Sequence, residues 1–107
     1  MTKAAEYRLK GFLANLRVRG RKVKASTGEE VEAIVSQPPL LNEPTDEAKA
    51  KTPVYSRVTI EAGRIAKPRD VTEFADKETK KTHRVIEFEE SASDTILNKW
   101  FCETQPS

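Results

Sequence analysis

Three groups of side chains in this chain are of types that do chemistry. His83 and Cys102, each the only residue of its kind, would make a base and a thiol nucleophile if they met. Glu87, Glu89 and Glu90 crowd carboxylates suited to acid–base work or to calcium. Arg17, Arg19, Arg21, Lys22 and Lys24 place five cations in "RVRGRKVK", residues 17–24, as phosphate contact requires. Position decides what each can do. His83 opens the strand pattern "HRVIEFEE" (83–90) beside a turn, and no Cys/His cluster stands at metal-ligand spacing, so no zinc site is expected. Cys102 sits next to Phe101 in "TILNKWFCE" (95–103), where a thiol packs buried and inert. The glutamates alternate along a strand as its wet face does. The four glycines are scattered singly and build no phosphate cradle. No catalytic residue, cofactor or metal is expected, and the chain reads as non-enzymatic.

The elements that must carry these residues follow from periodicity. Ala5, Leu9, Phe12, Leu13 and Leu16 recur at helical spacing and predict an N-terminal helix over 3–19, with Arg8, Lys10 and Arg17 off its apolar stripe. Thr2 is placed to cap it and Gly20 to stop it. Gly11, inside the pattern, costs about 1 kcal/mol relative to Ala, so this helix needs a surface to pack on.

After Gly20 the period changes to two, predicting a hairpin over 21–35 around Ser26-Thr27-Gly28. A three-residue loop with Gly28 at positive φ sets Val23 opposite Val31, Lys22 opposite Glu32 and Lys24 opposite Glu30. A two-residue Thr27-Gly28 turn would set Val23 against Glu32. The first register keeps apolar with apolar and pairs opposite charges. It gives Lys22 and Lys24 acidic partners and leaves Arg17, Arg19 and Arg21 without any.

Residues 36–53, "SQPPLLNEPTDEAKAKTP", hold four prolines and no sustained period, and predict a long flexible loop with Leu40-Leu41 as an apolar handle. "VYSRVTIE" (54–61) then alternates Val54, Ser56, Val58 and Ile60 against polar neighbours, as a half-buried strand does. Pro68-Arg69-Asp70 predicts a turn, and Val71 to Phe74 reads equally as a short strand or one helical turn. Two closing strands follow, with residues 104–107 as a tail. The whole is one domain, mainly β with one N-terminal α-helix: a small antiparallel β-sandwich or barrel with a long loop between strands 2 and 3. Trp100, Phe101, Ile86, Phe88, Val58, Ile60, Val31 and the helix stripe are its expected core.

Composition bounds the function. The 107 residues are 34% charged and 36% hydrophobic, with a net charge of only +2. The lone cysteine cannot close an internal disulfide, and the N-terminus carries no signal-peptide pattern, which suits a reducing compartment and no membrane. Charge is split: residues 1–24 hold eight Lys/Arg and one acid, residues 25–107 eleven bases and sixteen acids. That asymmetry fits an anionic partner, and equally a ring of copies with oppositely charged faces. Three readings stay open: a β-barrel that binds nucleic acid through Arg17, Arg19 and Arg21 with Tyr55 stacking on bases, a subunit of an assembly, and an accessory to one protein partner.

The order of elements resembles the head-tail joining proteins of long-tailed bacteriophages and prophages, also called head-completion or neck proteins. The parts that carry the resemblance are the basic helix, the hairpin "RKVKASTGEEVEAIVSQPP", the Pro-rich loop, and the run "THRVIEFEES" (82–91) before the last turn and strand. "DKETKK" stands where that family often has a Gly-Asp turn. The resemblance implies a structural protein, monomeric when free and a ring in the virion neck, made in the bacterial cytoplasm and placed between the portal-adaptor assembly and the tail. It implies that the loop from Gln37 to Thr52, including Pro38, Pro39, Leu40, Leu41, Asn42, Glu43 and Pro44, contacts neighbouring subunits or the adaptor. Arg17, Arg19 and Arg21 would then face DNA passing through the ring without reading its sequence, or acidic neighbours.

Overall fold

The computed structural model describes residues 3–36 and 54–105. Helix α1 (Lys3–Arg19) leads into strands β1 (Arg21–Ala25), β2 (Glu30–Ser36) and β3 (Val54–Glu61). A single 3-10 turn (Pro68–Asp70) precedes β4 (Glu73–Asp76), β5 (Thr82–Phe88) and β6 (Leu97–Gln105). The strands close into an antiparallel barrel in the order β1-β2-β3-β6-β5-β4. Of the ambiguous piece from Val71 to Phe74, Glu73 and Phe74 open a strand and Val71 and Thr72 lie outside it, and β4 is the stave that joins β5 back to β1. The expected 104–107 tail begins later, because β6 pairs through Gln105.

The first hairpin has the expected register, with Val23 opposite Val31, Lys22 opposite Glu32 and Lys24 opposite Glu30. Gly28 takes φ +109° and donates its N–H to the Ala25 carbonyl at 2.9 Å, closing the three-residue loop. Charge pairing across the hairpin does not follow. Glu30 forms its ion pair with Lys77 from the β4–β5 turn, and among the described residues neither Lys22 nor Lys24 has an ion-pair partner.

Inside the barrel, Trp100, Phe74, Ile60, Val58, Val23 and Cys102 are completely buried. Phe74 meets Trp100 edge-on at 5.0 Å between ring centres, Phe88 tilts against it at 5.4 Å, and Trp100 Nε1 donates to the Pro68 carbonyl at 2.9 Å. The indole is thus packed by two aromatic rings and has its one donor satisfied. A second cluster lies outside, where Phe12 of α1 packs with Ile96 and Leu97, supported by Ala5, Leu9, Leu16 and Ile34 of β2. Burying one such aromatic contributes about 1.5–3 kcal/mol, whereas an exposed ion pair such as Arg8–Asp94 (2.6 Å) contributes about 0.2–1. Apolar contact therefore holds the helix to the barrel.

Three expected core residues lie elsewhere. Ile86 is 50% exposed, because the β5–β6 register shifts between Val85 and Glu87 and the extra residue turns outward. Leu13 is 37% exposed, since the helix touches the barrel along a stripe too narrow to include it. Phe101 points away from the core and stacks on Tyr55.

Gly20 donates to the Leu16 carbonyl at 2.8 Å, and a Cβ built on it would fall 2.2 Å from that same oxygen. A Cβ on Gly11 meets nothing within 4 Å. Gly20→Ala is expected to lower the free energy of urea unfolding by about 1–3 kcal/mol. Gly11→Ala is expected to raise it by about 0.5–1 kcal/mol.

Candidate functional site

The sequence-predicted cations separate in space. Arg17 and Arg19 are exposed in the last turn of α1, where their charge suits the helix dipole, and neither has an ion-pair partner among the described residues. Arg21 does not stay with them. It opens β1 at a barrel mouth and places Nη1 3.3 Å from Asp76 Oδ2, so the expectation that it is unpaired fails. The chain reverses that relation because Asp76, at the end of β4, is brought beside β1 by barrel closure across 55 residues. Pro38, Pro39, Leu40, Leu41, Asn42, Glu43 and Pro44, expected to bind partners, lie outside the described residues.

The Arg21 mouth holds a polar cluster that no sequence spacing reveals. Ser56, His83 and Thr104 point inward from β3, β5 and β6, and their side chains meet: Thr104 Oγ1 donates to Ser56 Oγ at 3.0 Å, and His83 Nδ1 lies 3.1 Å from Ser56 Oγ and 3.0 Å from Thr104 Oγ1. His83 Nε2 faces Asp76 Oδ2 at 3.8 Å, beyond hydrogen-bond length, and makes no hydrogen bond. Arg21, Ser56, His83 and Thr104, with Thr79, Lys81, Val35, Ser36 and Val54, line a cavity of about 290 Å³.

Electrostatics at this mouth are set by burial. Desolvation pushes the His83 imidazole below its ordinary value of 6.5, aided by the Arg21 and Lys81 charges and opposed by Asp76. Burial pushes the Asp76 carboxyl up, but the N–H groups of Thr79 and Glu78, the Thr79 hydroxyl and Arg21 outweigh it and hold it below its ordinary 3.8. At neutral pH the cluster is therefore a neutral imidazole beside a carboxylate and a guanidinium.

A serine, a histidine and an aspartate in series invite comparison with a hydrolytic triad. The geometry does not make one. Ser56 is 2% exposed, His83 lacks the hydrogen bond to Asp76 that would orient it, and the Asp76 oxygens are committed to turn N–H groups and Arg21. Cys102 is also remote from such chemistry: burial, with the Glu89 charge, pushes its thiol up to about 12, and Sγ donates weakly to the Trp100 carbonyl. Among the described residues no group of three or more His, Cys, Asp and Glu side chains is arranged to hold a metal ion, and no helix is long and apolar enough to cross a membrane.

A further surface went unread in the sequence. Ala4, Tyr7, Gly11, Ala14 and Val18 are all exposed and follow a 3-4-3-4 spacing along the outer side of α1, with Tyr7 71% and Val18 84% exposed. Lys3, Lys10 and Arg17, seven residues apart, border that stripe on one side, and Arg8 and Arg19 border it on the other. The spacing was available as a signal, but two small residues and a glycine mask an apolar line. No protein-family model, curated protein or solved structure matches this chain.

The lowered His83 value has a definite sign. Below 6.5 the unfolded chain takes up the proton before the folded one, so stability is lost as pH falls through that point toward the folded value. Asp76 and Asp94 contribute stability above 3.8 that is lost as pH falls through their lower folded values, about 2 for Asp94, whose carboxylate accepts from the Leu97 and Ile96 N–H groups. In urea titrations across pH, His83→Gln is expected to remove the first decline and to leave the second.

Proposed function

We propose that this chain is a non-enzymatic structural protein of a phage neck, a ring subunit between the portal-adaptor assembly and the tail. The observation that carries the assembly part is the pairing of a closed barrel with an uncommitted helix face. With β1 bonded to both β2 and β4, the described strands form a closed barrel with no terminal stave for a partner to extend, so contacts fall to side chains on outer faces. The stripe from Ala4 to Val18, edged with cations, is such a face. The particle to which the subunit belongs rests on the resemblance of the element order to head-tail joining proteins.

A nucleic-acid-binding barrel is the second reading, and Arg17 and Arg19, without acidic partners among the described residues, favour it. Against it stands the fate of Tyr55. Its ring is stacked on Phe101 at 5.2 Å and 20°, which takes one of the two faces that base stacking would use.

Titrating the purified chain with fluorescent single- and double-stranded DNA at low and moderate salt separates the two. The assembly reading expects weak binding, with little change on Arg17→Ala and Arg19→Ala. Sub-micromolar binding by a monomer that falls steeply with salt and is lost in those variants would make the chain a nucleic-acid module.

A further inference from the structure

We infer that the outer stripe of α1 in one copy docks, head to tail, on the outer face of β5 and β6 in the next copy. The inference deepens the assembly reading and rests on it. Its starting point is the stripe itself, where Tyr7 and Val18 stand exposed and Gly11 leaves a gap in which a built Cβ would meet nothing. A face with large residues at both ends and small ones between admits a neighbour's side chain at its centre.

Charge selects the occupant. Two copies of this stripe laid against each other would bring the Lys3, Lys10 and Arg17 borders and the Arg19 charge together, like against like, Arg8 being already paired with Asp94. A two-fold helix pair is therefore disfavoured, and the fitting surface is apolar and not cationic. The chain carries such a surface on itself. The first 24 residues hold eight bases and one acid, while the remainder holds sixteen acids against eleven bases.

On the barrel body, the bulge in β5 turns Ile86 outward at 50% exposure, and the next residue, Glu87, is exposed opposite Phe101 of β6. Phe101 stacks on Tyr55 of β3, both rings half-buried, and these two with Ile86, the residue before Phe101's register partner Glu87, make the apolar ridge of this outer face. The arginines around that ridge are already neutralised: Arg57 is held by both oxygens of Glu89 at 2.8 and 3.1 Å, and Arg84 by Glu103 at 2.7 Å. Lys99 also lies on this face, and Glu87 and Glu73 are exposed without an ion-pair partner among the described residues.

The two surfaces are also well placed for repetition. Helix α1 packs on Ile34 of β2 and on Ile96 and Leu97 where β6 begins, whereas the ridge lies on the outer side of β5, β6 and β3. A donor face and an acceptor face that are different patches of one body make a heterologous contact, which repeats into a ring where the rotation closes.

Two exposed-site variants test the contact in the full chain, with folding checked by circular dichroism: Val18→Glu disables the helix face and Ile86→Arg disables the sheet face. Mass in solution is followed by sedimentation, from dilute protein to the solubility limit, at low and moderate salt. The expected result is that the unaltered chain associates, each variant alone stays monomeric, and an equimolar mixture of the two forms a dimer and nothing larger, because only one competent contact remains. An unaltered chain that associates while the variants associate as it does, or while their mixture stays monomeric, overturns this interface and leaves the assembly reading standing. An unaltered chain that stays monomeric throughout overturns this interface, while the assembly reading, in which the chain is monomeric when free, is decided by the DNA titration.

Discussion

The pairing of β1 with β4 is the constraint from which the rest of this structure follows. Three residue pairs make it, Val23 with Asp76, Lys24 with Ala75 and Ala25 with Phe74, extended by bonds from Ser26 N–H to the Glu73 carbonyl and from Lys77 N–H to the Lys22 carbonyl. The contact joins segments about half the chain apart, so its loop-closure cost has to be met by burial. Phe74 supplies it: the residue that closes the barrel is also the one that meets Trp100 edge-on at the centre of the core. Closure also brings Asp76 to Arg21 and to His83, and so creates the polar mouth.

The barrel ends differ in kind because the inward residues do. Toward Pro68 the interior is filled by Trp100, Phe74, Phe88, Ile65 and Val71, and the Trp100 indole N–H is satisfied by the Pro68 carbonyl. Toward Arg21 the inward positions are Ser56, Thr104, His83 and Asp76, which bond to one another and to turn N–H groups. One unsatisfied atom, His83 Nε2, makes this end the less secure of the two, since an unmet buried donor or acceptor costs about 1–3 kcal/mol. On the outer surface, Tyr7 and Val18 of the helix stripe and Ile86 of β5 are exposed apolar side chains.

Much of the fold was legible because one physical rule governed each part. The hairpin register followed from keeping Val23 against Val31, and Gly28 marked the loop with no competing candidate. The alternation of Ser56, Val58 and Ile60 fixed the face of β3. What failed were positions decided by non-local pairing. Ile86 alternates correctly along its own strand, and only the bulge against β6 turns it out. Arg21 looked free because its partner is 55 residues away, and Lys24 lost Glu30 to a turn lysine that sequence neighbours do not reveal. The polar mouth was illegible for the same reason, since Ser56, Asp76, His83 and Thr104 come from four separate strands. The outer helix stripe was legible in principle, but the buried stripe on the other side of α1 has the larger residues and drew the reading.

Closure is the claim on which every functional statement here depends, and native-state hydrogen exchange measures it directly. If β1 and β4 seal the barrel, the amides bonded between them, with Ser26 and Lys77 at their borders, exchange with the same opening free energy as those between β3 and β6. Exchange of the β4 amides at much lower free energy than the β3–β6 set would mean an open sheet with two free edges. A partner could then add a strand, and the helix and ridge would lose their standing as the surfaces left for contact.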